Sequence, residues 1–154
     1  MSRKRYLTNT EPKAGLAGDE LRIVLPIRIP SPGEYKRMHW AVNRAWREAM
    51  ATLTLVALGP LRAKLKPPSG KRQVVIVSHR RALIRDEIDN LPNLAKLPLD
   101  VLRRHPIDLI IDDGREWCEG RVEQVQDTHE RTEIRISPIE IRGERPTQVR
   151  TKRE

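Results

Sequence analysis

Apolar and polar residues follow more than one spacing along this chain, and each spacing predicts a different element. Residues 21–29, LRIVLPIRI, are rich in β-branched side chains and predict a strand, in which Pro26 indicates an edge position or a bulge. Residues 73–79, QVVIVSH, are almost wholly apolar and predict a buried central strand. Between 121 and 141 apolar and polar residues alternate, which predicts two closing strands and a hairpin around residues 127–131.

Helical spacing is clearest from 38 to 58. Apolar residues recur there at steps of three and four, and Gly59-Pro60 ends the helix. Residues 30–35, PSPGEY, and 61–72 have the composition of loops. A further helix is predicted within 91–104, where either Pro92 opens one kinked helix or Pro98 opens a shorter one.

A third strand is predicted at residues 107–113, IDLIIDD, which end in two acids. The resulting order of elements predicts an α/β or α+β single domain, with a mixed β-sheet packed with helices. We place this domain at 20–141. Residues 1–19 and 142–154 lack hydrophobic periodicity and are predicted to be flexible basic tails.

The net charge of the chain limits the classes of partner that it is expected to bind. Thirty Lys and Arg residues against 21 Asp and Glu residues give a net charge of +9, so nucleic acid is the first partner to consider. A ribosomal-type or generally adhesive basic protein would have the same charge. With one cysteine, Cys118, and neither an 18-residue apolar run nor a signal-peptide pattern, the sequence predicts a cytoplasmic protein without a membrane span.

Three acids are crowded together in RDEIDNLPNLAK, residues 85–96, within this basic chain. If 85–89 is extended, Glu87 and Asp89 point to one side and Asp86 to the other. Glu87 and Asp89, together with one acid of the Asp112-Asp113 pair, would form a cluster of three carboxylates that suits Mg²⁺. In the alternative interpretation, the acids are solvated or belong to ordinary turns and caps.

The segments RDEIDNL, AKLPLDVL and IIDDG, followed by a tryptophan, resemble the RusA family of Holliday-junction resolvases and its phage relatives. That family has an acid, any residue, then Asp-Asn-Leu, followed by a lysine before an apolar helix with an aspartate, and later a pair of aspartates. The segments PIRIPSPGE, MHW and RTEIRI are also similar to the family's beginning and end. The resemblance covers roughly residues 21–137.

The resemblance implies roles for individual residues. It implies that the metal ligands are Glu87, Asp89 and either Asp113 or Asp112, with Asp113 favoured. Glu87 stands where the family more often has aspartate. Asn90 would anchor the turn or cap the next helix. Lys96 would be the essential catalytic lysine beside Asp89, although a longer loop, PNLA, precedes it here.

Contacts with DNA are predicted for a further set of aromatic and basic residues. An aromatic ring can stack on an unpaired base, and arginines contact phosphates. For Trp40 a packed position at the start of a helix is the alternative, and for the arginines a solvated one. The candidates are His39, Trp40, Arg44, Arg80, Arg81 and Arg85.

The expected activity is that of a Mg²⁺-dependent endodeoxyribonuclease that resolves four-way DNA junctions by paired nicks. The resemblance also implies a homodimer and a phage or prophage origin. Two alternatives stay open: a basic nucleic-acid-binding protein without catalysis, and a metal-dependent nuclease that acts on another branched DNA or on RNA.

Overall fold

The computed structural model describes residues 6–84 and 92–143, with only the backbone described at residues 92 and 93. Five strands form one sheet: β1 (Lys13–Ala17), β2 (Glu20–Leu25), β3 (Arg72–Arg80), β4 (Cys118–Gln126) and β5 (Arg131–Ser137). The helices are α1 (Pro32–Arg37), α2 (Trp40–Leu58), α3 (Leu61–Lys64) and α4 (Lys96–Leu102). A 3₁₀ turn, Pro92–Ala95, leads directly into α4. The predicted α+β class with a mixed sheet is confirmed.

The sheet has the order β1-β2-β5-β3-β4, and β3–β4 is its parallel pair among antiparallel neighbours. One face is apolar because the period of two along each strand puts alternate residues on the same side. On that face Leu21, Ile136 and Val74 lie side by side across β2, β5 and β3, all fully buried. On the opposite face Arg22, Arg135 and Arg121 occupy neighbouring registers.

Helices α2 and α4 cover the apolar face. Trp46 and Met50 of α2 are fully buried, and the Trp46 indole Nε1 donates to the carbonyl oxygen of Arg28 at 3.1 Å. Gly120 of β4 lets α4 approach closely, because a Cβ at this position would lie 3.2 Å from the Leu99 Cδ1 atom. The prediction of a long helix ended by Gly59 is confirmed, with its start at Trp40.

Four predictions about the elements need correction. Residues 13–17 form β1, so the predicted tail over 1–19 is wrong there, and Tyr6 is buried in the core. Residues 32–37 form α1 instead of a loop. The short helix α3 lies inside the connection predicted over 61–72. Pro26 follows the end of β2, and β2 is an interior strand, so the predicted edge position is wrong.

The predicted third strand and the predicted hairpin are also wrong. Residues 107–113 form an irregular loop and pair with no strand. The side chains of Ile107, Leu109 and Ile110 are nevertheless buried in the core. The Leu109 carbonyl oxygen accepts from the Arg72 guanidinium at 2.6 Å. Strand β3 lies between β4 and β5, so residues 127–130 cross the end of β3 rather than joining paired strands. Each of the two predictions for the helix within 91–104 is correct in part. The 3₁₀ turn begins at Pro92, and Pro98 lies in the first turn of α4.

Candidate nucleic-acid interface and acidic site

A groove with aromatic and basic walls runs between α1, α2 and the end of α4. It encloses about 590 Å³, and the Trp40 side chain is 69% exposed at its edge. An exposed indole beside several guanidinium groups offers both a stacking surface and phosphate contacts. We call it the aromatic-basic groove; its lining residues are Tyr35, Met38, Trp40, Asn43, Arg44, Arg47 and Arg104.

Helical spacing places the key side chains of this groove. Trp40, Arg44 and Arg47 stand at positions i, i+4 and i+7 of α2 and therefore share one face of the helix. His39 is the N-cap residue: its Nδ1 accepts from the backbone N–H of Ala41 at 3.1 Å. The His39 ring lies 5.5 Å from the Trp40 ring, so both side chains stand at the exposed start of α2.

The arginines of the groove differ in their partners. Arg44 pairs with Glu48 at 3.2 Å on the exposed surface, and Arg47 Nη1 pairs with Asp100 Oδ2 at 2.8 Å. Among the described residues, Arg104 forms no ion pair. Exposed ion pairs contribute little stability and exchange readily, so Arg44 and Arg104 are the guanidinium groups best able to bind phosphate.

The predicted role of Arg80 in phosphate binding is wrong. Its side chain lies on the helix-facing side of β3, is only 4% exposed, and donates from Nη1 to the carbonyl oxygen of Ile29 at 2.7 Å. Burial lowers the pKa of the Arg80 guanidinium, and the nearby charge of Arg28 lowers it further. Arg81 is exposed, but its Nε donates to the carbonyl oxygen of Thr128, at the end of the sheet and outside the groove.

The first half of the predicted acidic site, with Glu87, Asp89, Asn90 and Arg85, lies outside the described residues, which are interrupted at 85–91. The last described residue before this gap, Ile84, is held by two hydrogen bonds. The backbone N–H of Ile84 donates to the Gln124 side chain at 2.9 Å, and that side chain donates back to the Ile84 carbonyl oxygen at 2.8 Å.

The second half of the predicted acidic site is exposed. The Asp112 carboxylate accepts from the backbone N–H of Asp113 at 2.8 Å, and Arg103 Nη1 lies 3.6 Å from Asp112 Oδ1. The pKa of Asp112 is lowered, first by that backbone hydrogen bond and also by the charge of Arg103. Asp112 is therefore ionised at neutral pH, and it lies in an irregular loop instead of at the end of a strand.

Lys96 lies on a face of α4 that leads toward Arg103, the residue after the helix that approaches Asp112. Lys96, Asp100 and Arg103 stand at positions i, i+4 and i+7, which share a helix face. Arg103 pairs with Asp100 at 2.8 Å and lies 3.6 Å from Asp112, so ion pairs connect the C-terminal end of this helix face to Asp112. Two turns of helix, about 10 Å, separate the backbones of Lys96 and Arg103.

The donor set suits magnesium. Mg²⁺ prefers hard oxygen ligands and is usually held by one or two carboxylates with its own waters, and every candidate ligand here is a carboxylate. In the part of the chain that the structure describes, no three His, Cys, Asp or Glu side chains come together as a metal group. The candidate site therefore needs residues from both segments, Glu87 and Asp89 in one and Asp112 or Asp113 in the other.

Sequence reasoning missed several residues of this surface. Tyr35 and Lys36 lie on α1, which begins with a capping box: Ser31 Oγ accepts from the Glu34 N–H at 3.2 Å, and the Glu34 carboxylate accepts from the Ser31 N–H at 2.9 Å. The pattern Ser31-Pro32-Gly33-Glu34 could have predicted this helix. Arg47 could have been found as the next member of the helical series that contains Trp40 and Arg44.

Neither a model of a known protein family nor a curated protein matches the chain. Over residues 6–84 and 92–143, the helices are too short or too polar to cross a lipid bilayer.

Replacing Trp40 by alanine is expected to weaken the binding of branched DNA roughly tenfold, because a stacked aromatic contributes about 1–3 kcal/mol per base. The stability of the fold should change by less than about 0.5 kcal/mol, since the side chain is largely exposed. Fluorescence anisotropy with labelled DNA measures the affinity. Val56→Ala is the matched control, because Val56 is 60% exposed on the same helix outside the groove. Equal affinities of Trp40→Ala and Val56→Ala would contradict the assignment of the groove.

Proposed function

We propose that this protein is a Mg²⁺-dependent, structure-selective endodeoxyribonuclease that resolves four-way DNA junctions by hydrolysing a phosphodiester in each of two strands. The main support is the aromatic-basic groove, which shares Tyr35 with a pocket that has Lys96 at its rim. Lys96 follows the acidic segment by a few residues in the sequence. The surface that we propose for DNA thus extends to Lys96, the candidate catalytic lysine.

The proposed mechanism divides the work among the residues of two segments. Glu87 and Asp89, with Asp113 or Asp112, would hold Mg²⁺ through carboxylate oxygens. When bound, the metal supplies activation of water and stabilisation of the leaving oxygen. The Lys96 ammonium neutralises charge that develops on the phosphate in the transition state. Trp40, Arg44 and Arg104 bind the DNA in the aromatic-basic groove.

Two symmetric nicks require two active sites, so we propose that the protein acts as a homodimer with a two-fold axis that matches the symmetry of the junction. We also propose that it works in the cytoplasm, where DNA is found in a phage-infected cell.

Its one cysteine, Cys118, is buried and unpaired, and burial raises the pKa of this thiol to about 11. Such a thiol is a poor nucleophile, which suits a structural role.

A second function, nucleic-acid binding without catalysis, is favoured by one specific observation. Arg103 lies 3.6 Å from Asp112 and also pairs with Asp100, so this cation already neutralises part of the second acidic half. If Arg103 stays there when DNA is bound, Asp112 is an ion-pair partner and not a metal ligand.

Incubation of the purified protein with a synthetic four-way junction, a linear duplex, a flap and an RNA hairpin separates these functions. Each substrate is incubated with the protein in the presence of Mg²⁺ and, in a parallel reaction, in the presence of EDTA. The proposal predicts symmetric nicks in the junction with Mg²⁺ and none with EDTA. Binding without nicks in any substrate would establish the second function, and equal cutting of flaps or RNA would establish a nuclease of different specificity.

A further inference from the structure

A second cavity, smaller than the groove, lies between α1, α4 and the chain leading into α1. It encloses about 210 Å³, below the about 300–1,000 Å³ of sites for drug-sized molecules, so it suits a single ring system. Its apolar lining residues are Ile29, Pro30, Pro32, Tyr35, Leu94 and Leu97. We call it the proline-lined pocket.

The wall of this pocket is held rigidly from behind. Arg80 Nη1 donates to the carbonyl oxygen of Ile29 at 2.7 Å, and Trp46 Nε1 donates to that of Arg28 at 3.1 Å. Arg28 in turn binds both carboxylate oxygens of Glu34, at 2.8 and 3.0 Å. Buried side chains thus fix the backbone on which Ile29, Pro30 and Pro32 stand. A preformed wall loses little conformational entropy when a ligand enters.

The rim of the pocket is cationic. Lys36 and Lys96 both line it and both side chains are exposed. Within the described part of the chain, neither lysine is engaged in an ion pair. An apolar interior flanked by two ammonium groups is complementary to a nucleotide, in which an uncharged base is flanked by two backbone phosphates.

We infer that the proline-lined pocket receives one unpaired DNA base, with the flanking phosphates on Lys36 and Lys96. This inference rests on the proposed function and deepens it, because it supplies a reason for selecting branched over fully paired DNA. A base extruded at a branch point costs less unpairing free energy than a base taken from a continuous duplex. Tyr35 lies between the pocket and the aromatic-basic groove, so an extruded base and the strand beside it would contact one continuous surface.

The inference is tested by removing the base while keeping its phosphates. Two duplexes are compared, one with a single unpaired adenosine and one with an abasic nucleotide at the same position. Affinities are measured by fluorescence anisotropy in EDTA, so that no strand is cut. We expect the wild-type protein to bind the base-containing duplex roughly tenfold more tightly than the abasic one, the size typical of one stacked base.

Variants assign that preference to the pocket. Tyr35→Ala should reduce the ratio of the two affinities to about one, while Tyr35→Phe, which keeps the ring, should preserve it. Lys36→Glu should weaken binding of both duplexes alike, because both retain the phosphates. Arg37→Ala is the matched control on α1, since this exposed neighbour does not line the pocket, and it should leave the ratio unchanged.

Two results would overturn the inference. One is equal affinity of the wild-type protein for the two duplexes. The other is loss of the preference in Trp40→Ala with its retention in Tyr35→Ala, which would place the base in the groove. Because the ratio is measured without metal, a protein that prefers the base but never cuts DNA would keep this inference and lose the proposed nuclease activity.

Discussion

Asp89→Asn is expected to lower the rate of junction nicking by more than about a hundredfold, while the affinity for the junction in EDTA stays within about threefold of wild type. An asparagine amide has nearly the size of the carboxylate but lacks its negative charge, and even the loss of an outer partner of a metal ligand typically costs about 10- to 100-fold. Single-turnover nicking with Mg²⁺ measures the rate, and anisotropy measures the affinity.

Asp86→Asn is the matched control for that experiment. Asp86 carries the same charge three positions away but is not one of the proposed metal ligands. It should retain nicking to within a few-fold. If Asp86→Asn and Asp89→Asn lose activity equally, the acids act as a diffuse negative field and not as individual ligands.

Glu34→Gln is expected to lower the free energy of unfolding at pH 7 by about 2 kcal/mol, less than the full pKa shift corresponds to, because the Ser31 hydrogen bonds contribute to that shift and are retained. The Arg28 guanidinium is the main reason that the pKa of Glu34 falls from 4.5 to about 2, and each pKa unit corresponds to about 1.4 kcal/mol. Both side chains are largely buried, with 12% and 13% exposed. Glutamine still accepts a hydrogen bond in a capping box, so the substitution removes the ion pair more than the cap.

The pH dependence of this loss follows from the lowered pKa. Stability from the ionised Glu34 is fully present above its unfolded-state pKa of 4.5 and disappears as the pH falls toward about 2. Urea unfolding from pH 7 down to about pH 3 should therefore show the wild type and the variant converging. Glu48→Gln, which breaks the exposed pair with Arg44, should cost less than about 1 kcal/mol. A Glu34→Gln deficit that is constant over this pH range would contradict the ion-pair explanation.

The hydrophobic pattern predicted the elements whose side chains have regular spacing. The α2 helix, the buried strand β3 and the alternating strands β4 and β5 all follow from periods of 3.6 and 2. Local pattern could not place β3 between β4 and β5, because strand order depends on contacts that are distant in sequence. The apolar run at 107–113 led to a wrong strand prediction for a related reason. Leu109 and Ile110 are buried in the core, but they lie in a loop, and the Leu109 carbonyl oxygen accepts from Arg72 instead of from a neighbouring strand.

The candidate site was predictable in part. Aromatic character indicated Trp40 and charge indicated Arg44, and both residues line the aromatic-basic groove. The same reasoning failed for Arg80, because the charge of an arginine does not reveal that its side chain lies on the buried face of a strand and binds a backbone carbonyl. The proline-lined pocket could not be predicted at all, since it brings residues 29–36 together with residues 94–97 through tertiary packing.

The most direct test of the account is a Mn²⁺ titration followed by electron paramagnetic resonance, with wild type, Asp89→Asn, Asp113→Asn and the double variant. Carboxylates from two separated segments that hold one metal must be coupled, so each single variant should lose most of the affinity and the double variant should lose little more. If the losses in the two single variants instead add fully in the double variant, or if neither substitution changes Mn²⁺ binding, the two segments do not share a metal and the nuclease mechanism is wrong.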